Sequence, residues 1–262
     1  MGFVVAIAAC STSSAEAIDD AGAPDATLGD AGSDANDASS GLRVLVFSRT
    51  NGYRHDSIPA ALSMISSQGA ARGWVVSETE DPAIFTADLA STDVVVFALT
   101  SGNDILDADQ KSEFESWVAQ GHGFVGIHSA TDTEYMWPLY HDLVGATFRN
   151  HPPGLYNASV DITDSSNAIT ATLPNPWTRT DEWYSFTDNP AEAGTLDILL
   201  ALDESTFAED PTLSMTPHPI SWAHTFEGTR AFYTAMGHPA ESYSDPTFVA
   251  FLTRAIEWAG AR

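Results

Sequence analysis

The sequence predicts an α/β fold, an open and mostly parallel sheet with helices on both faces. Two observations carry this. Short, nearly unbroken apolar runs such as residues 42–48 (Leu-Arg-Val-Leu-Val-Phe-Ser) have the composition of strands covered on both sides. Helical patterns alternate with them through the first half of the body, as right-handed βαβ crossovers require.

Each element follows from local signals. After the first strand, Ile58, Leu62, Ile65 and Ala70 recur at helical spacing over residues 57–72. Ser57 ahead of Ile58 and Pro59 suggests an N-cap with proline in the first turn. Residues 74–76 and 93–97 are further short strands. Residues 107–120 make the plainest helix, with an acidic first turn, Phe114, Trp117 and Val118 as its apolar positions, and Gly121 to stop it. Residues 123–127 (Gly-Phe-Val-Gly-Ile) form another buried strand. The stretch 155–235 is richer in loops and short strands, among them 198–202, 219–222 and 230–234. Residues 246–259 close the chain as an amphipathic helix carrying Phe248, Phe251, Leu252, Ile256 and Trp258. No internal repeat is visible, and residues 41–262 read as one domain.

Composition narrows the function. The 262 residues hold 10 Lys and Arg against 36 Asp and Glu, a formal charge of −26. Nucleic-acid affinity rests on clustered cations, so a nucleic-acid partner is excluded, and an anionic membrane surface is an equally poor one. A single cysteine excludes an internal disulfide framework. Residues 11–40 contain six Asp, one Glu, eight Ala and no Lys or Arg. Such a stretch buries too little apolar surface to fold and reads as a disordered acidic spacer. Before it, residues 1–10 end in Ala-Ala-Cys after an apolar run, similar to a bacterial lipobox in which Cys10 is acylated. On that reading the protein is exported to the cell envelope and meets the membrane only through Cys10. The competing reading is a frayed terminus with Cys10 a free thiol; in neither case is it a catalytic nucleophile, because a disordered tail cannot hold it against a base.

In open α/β sheets, sites form beyond the carboxyl ends of the strands. The loops that follow the strands hold His55, His128, His151, His218 and His238, whereas His122, His141 and His224 read as ordinary surface or helix positions. Gly126-Ile127-His128-Ser129-Ala130 is the sharpest local signal, a strand and tight turn of nucleophile-elbow form with histidine at the apex. Ser129 comes one place late for an elbow nucleophile, so serine-hydrolase chemistry fails on register.

From residue 44 to 258 the chain resembles the trehalose-utilisation, or ThuA-like, family. The matching stretches, in family order, are 54–58 (Arg-His-Asp-Ser-Ile), 123–132, 179–184 (Arg-Thr-Asp-Glu-Trp-Tyr), 218–222 and Gly237-His238. The resemblance implies a class I glutamine amidotransferase-like fold, a three-layer sandwich of flavodoxin-like kind. It does not bring glutaminase chemistry with it, because His128 stands where such enzymes carry the elbow thiolate. What the family association implies is action on carbohydrate, as a hydrolase or lyase of 3-keto glycosides. The alternative is a non-catalytic sugar-binding accessory protein.

Chemistry of that kind needs a base beside a carbonyl and an acid for the leaving oxygen, or a metal to polarise the carbonyl. The expected catalytic set is His55, His128, Asp132, Glu182 and His238, with Arg54, Ser129, His151, Asp181, Trp183, Tyr184 and His218 contacting substrate. Tyr53, Trp137, Trp183, Tyr184, Trp222 and Tyr243 surround these loops and suit sugar faces; core packing is favoured for Trp222 and stays open for Trp183 and Tyr184. Arg49, Arg54, Arg149 and Arg179 adjoin the same loops and suit pairing with Asp132, Asp181, Glu182 or a polar substrate. A divalent metal such as zinc is the open branch, its expected ligands His55, His128 and His238. No short His-x-x-x-His spacing supports it, so such a centre has to be assembled from distant loops.

Overall fold

The computed structural model describes residues 41–207 and 213–261; Cys10 and the acidic stretch 11–40 lie outside them. The strands are β1 (Arg43–Phe47), β2 (Val75–Thr79), β3 (Val94–Ala98), β4 (Gly123–Ile127), β5 (Phe148–Asn150), β6 (Tyr156–Ile162), β7 (Trp177–Asp181), β8 (Ser185–Phe186), β9 (Asp197–Asp203), β10 (Pro219–Phe226) and β11 (Thr229–Thr234). Helices are α1 (Ile58–Arg72), α2 (Ile84–Ala87), α3 (Ala108–Val118), α4 (Pro138–Val144) and α5 (Pro246–Gly260).

Nine strands make one sheet in the order β2-β1-β3-β4-β11-β10-β9-β6-β7. From β2 to β11 every ladder is parallel, and from β11 to β7 every ladder is antiparallel. Only β10 and β6 therefore oppose the common direction, and the sheet is mostly parallel. The loops after β1, β4, β7 and β11 consequently open at one edge, with strand order reversing between β1 and β3. That is the place where an open α/β sheet leaves a crevice.

Helices cover both faces. On one, α5 lies against β4 and β11, with Phe251 edge-on to Phe232 at 5.4 Å. On the other, Phe114 of α3 stacks on Phe97 of β3 at 5.7 Å and Tyr140 of α4 meets Phe124 of β4 at 6.0 Å. Strands β3 and β4 are buried at every position, which is why their sequences show no polar alternation. Helix α3 starts with a full capping box, Asp107 accepting the Gln110 amide while the Gln110 side chain accepts the Asp107 amide.

Three local expectations need correction. Ser57 does not cap α1; its hydroxyl donates instead to the Gly237 carbonyl at 3.4 Å, tying the helix start to the loop after β11. The second strand begins at Val75 and runs on to Thr79, because as an edge strand it carries polar residues that mask its end. His224 is not a surface position: it lies buried in β10 and donates through Nε2 to the Leu143 carbonyl at the end of α4.

Candidate functional site

The site grows from the turn after β4. His128 takes a left-handed backbone conformation (φ 51°) at the strand's end and is completely buried. For a non-glycine residue such a conformation is strained and is held only by its surroundings. Two bonds do so here: the His128 carbonyl accepts the Tyr233 hydroxyl at 2.7 Å, and its ring Nδ1 reaches the Ala235 carbonyl at 2.6 Å. A carbonyl only accepts, so Nδ1 is the donor of that bond and Nε2 is the nitrogen turned toward the other loops.

Nε2 faces three groups. His238 Nδ1 lies 3.3 Å from it, the Tyr184 hydroxyl 3.1 Å and Glu182 Oε2 3.4 Å. Glu182 is the hub, with Oε2 accepting from His238 Nδ1 at 3.0 Å and Oε1 3.2 Å from His151 Nδ1. His55 closes the group, its ring centre 4.6 Å from that of His128 and 5.0 Å from that of His238. One ligand atom from each of His55, His128, Glu182 and His238 lies within 4.8 Å of all the others. These four residues are the set able to hold a metal ion.

Electrostatics follows from this crowding. Burial and the neighbouring His128 and His238 lower His55 from its usual value to about 3, so it is neutral in ordinary buffers. Burial favours a neutral Glu182, yet the bonds from His128 and His238 outweigh it and hold the carboxyl well below the usual range. Its hydrogen bond to Glu182 in turn raises His238 against the opposing effect of burial. Asp132 moves the other way: burial raises it, while the bond from the Tyr135 hydroxyl works against the shift.

A hollow of about 350 Å³ adjoins the cluster. Its polar lining is His55, Asp132, His151, Glu182 and His238; its apolar lining includes Tyr53, Phe148, Pro153 and Tyr184. The short antiparallel pair of β5 and β8 brings the His151 loop against the segment carrying Glu182 and Tyr184. The separate strand ends thus deliver His55, His128, Asp132, His151, Glu182, Tyr184 and His238 to one place. Ser129 lies behind His55, with Oγ 3.3 Å from its Nδ1.

Other expected contacts lie elsewhere. Arg54 turns away to pair with Glu80 at 2.6 Å, both side chains half exposed. His218 is buried between Glu204, 2.7 Å from Nδ1, and the Tyr184 carbonyl, 2.8 Å from Nε2. The Trp183 indole is buried and donates to the Tyr156 carbonyl, and Trp222 is buried in the core. Asp181 is buried beneath the cluster, where it accepts the Gly237 and His238 amides at 3.0 Å each and pairs with Arg179 at 3.0 Å. Gly237 (φ 119°) is required there, since a Cβ would lie 2.6 Å from the Tyr243 hydroxyl. Sequence reasoning did not reach the Ala235 carbonyl, Phe148 or Tyr135. The first is a backbone atom common to every residue, and the others carry no motif.

Comparison with known proteins agrees with this architecture. A ThuA-like protein from Bacteroides uniformis aligns with a TM-score of 0.72 and 22% identity, over 87% of this chain and 95% of the other. A ThuA-like protein from Parabacteroides merdae gives 0.66 and 19%, over 84% and 90%. PurLQS from Thermotoga maritima gives 0.51 and 11%, over 83% and 99%, and places the fold among the glutamine amidotransferase-like sheets. No curated protein sequence matches the chain significantly. The ThuA profile, described as trehalose utilisation, matches residues 43–259, and the chain belongs to that family.

Proposed function

We propose that the protein acts on carbohydrate, as a hydrolase or lyase of 3-keto glycosides. The observation that carries this reading is the single hollow on which Asp132, held toward its protonated form, converges with the His/Glu182 group. Aromatic residues Tyr53, Phe148 and Tyr184 line the same hollow and suit the apolar face of a sugar ring.

The chemistry divides between the two sides of the hollow. An imidazole removes the proton at C2, next to the ketone at C3, while the cluster stabilises charge on the ketone oxygen. Asp132 gives its proton to the glycosidic oxygen as the C1–O bond breaks. The electron pair of the C2–H bond becomes the C1–C2 double bond, and the alcohol departs. Addition of water across that bond completes a hydrolase; its omission leaves a lyase.

The test is a panel of trehalose and other disaccharides with their 3-keto forms, read by product chromatography. Turnover of keto forms and not of the parent sugars is expected. Sugar binding by calorimetry with no product from any substrate overturns the enzymatic reading in favour of an accessory binding protein. The Ala-Ala-Cys run and the acidic stretch after it support a lipid tether at Cys10 and a place at the cell envelope. Labelled fatty acid is expected on the protein in a bacterial host and absent from Cys10→Ala.

A further inference from the structure

We propose that His55, His128, Glu182 and His238 bind one divalent first-row transition metal ion, with zinc the representative case. The inference rests on geometry and stands apart from the sugar reading.

Three features point to it. First, the four donor atoms come from the separate loops after β1, β4, β7 and β11, yet lie within 4.8 Å of one another. Three imidazoles and one carboxylate suit borderline divalent ions and fill a tetrahedral zinc-type centre, which can expand to a fifth ligand. Second, the ligands are oriented from behind, as metal-bound histidines are. His128 Nδ1 is committed to the Ala235 carbonyl at 2.6 Å, and His55 Nδ1 lies 3.3 Å from the Ser129 hydroxyl. Asp181 fixes the backbone of His238 through its amide at 3.0 Å. Third, with Nδ1 donating to the Ala235 carbonyl, Nε2 is the His128 atom turned into the cluster, 3.4 Å from Glu182 Oε2. Bound there, such an ion supplies Lewis acidity at a ketone oxygen, leaving Asp132 and His151 on the same hollow to move protons.

The experiment measures metal, not turnover. Untagged protein purified without chelator is assayed for metal content, then stripped and titrated calorimetrically with zinc, manganese, ferrous iron, cobalt and nickel salts. A one-to-one complex is expected, together with a higher melting temperature on loading. Cobalt-loaded protein is expected to show ligand-field absorption in the visible. Glu182→Gln and His128→Ala lose the complex, whereas Tyr184→Phe, which removes only the hydroxyl near His128, retains it. Circular dichroism establishes that the variants fold; if His128→Ala does not fold, the Glu182→Gln and Tyr184→Phe pair still decides. Absence of stoichiometric metal combined with no calorimetric binding of any of the five ions overturns the proposal. Turnover of keto glycosides by a protein that binds none of the five ions overturns it and leaves the sugar reading intact. A metal complex without turnover does the reverse.

Discussion

Asp132 is where a single group most sharply divides the chemistry. Its half-buried carboxyl has a raised affinity for its proton, so on the proposed mechanism it serves as an acid below the raised value and ceases to above it. Turnover is therefore expected to fall as pH rises through that value. Asp132→Asn removes that limb and lowers kcat by about 10²–10⁴-fold, the range of general acid–base catalysis. Tyr135→Phe deletes the bond that favours the ionised form, so the descending limb moves to higher pH. The stability sign is opposite to that of a salt-bridged carboxylate. Folding favours the proton, so the stabilising contribution is present below the unfolded value of 3.8 and lost as pH rises through the folded one. Asp132→Asn is accordingly expected to melt above the parent protein at neutral pH. Arg54 marks the limit of reading residues from sequence. The loop that carries it was legible, but a long side chain on a loop can turn toward substrate or toward Glu80, and no pattern records which. Its exposed pair contributes about 0–1 kcal/mol, and Arg54→Ala is expected to leave KM and melting temperature unchanged.

Among elements, α4 shows how structural polar groups support the site from a distance. It follows directly on the Asp132 loop, and β10 holds its last turn through two buried bonds, Trp222 Nε1 to the Val144 carbonyl and His224 Nε2 to the Leu143 carbonyl, both 2.8 Å. Gly145 ends the helix at φ 90°, where a Cβ would lie 2.5 Å from Trp222 Nε1. Trp222→Phe leaves a buried carbonyl unpaired at a cost of about 1–3 kcal/mol, readable as a lower midpoint in urea. Burial lowers the proton affinity of His224 below its ordinary 6.5. The unfolded chain then takes the proton first, so stability from this residue is lost as pH falls below that value. His224→Gln is expected to flatten the acid side of the stability profile. Long elements with strong signals, such as the helix at 107–120 and the strand at 123–127, were legible because periodicity and burial coincide there. The pairing of β5 with β8 was not. Three-residue and two-residue strands carry no period, and their partners are set by tertiary contacts.

For the molecule as a whole, the α/β class was legible from alternation, but the arrangement of the second half was not. Placing β11 beside β4, then turning to antiparallel strands, depends on long-range pairing that leaves no local trace. The charge of −26 acts at the same scale. Self-repulsion destabilises the compact state and is screened by salt, the Debye length falling from ~30 Å at 0.01 M to ~8 Å at 0.15 M. A rising melting temperature over that interval is expected, and a flat response would mean that the acidic groups are already compensated locally. Among the described residues no helix is long and apolar enough to cross a membrane.

The scattering of the cluster along the chain has a consequence in time. Biosynthesis runs from the amino end, so His55, His128 and Glu182 leave the ribosome well before the segment after β11 that delivers His238. A nascent polypeptide therefore carries most of its reactive groups with no working centre. The four-residue cluster is complete only once that last segment is in place, so a chain stopped before it is expected to bind no metal there.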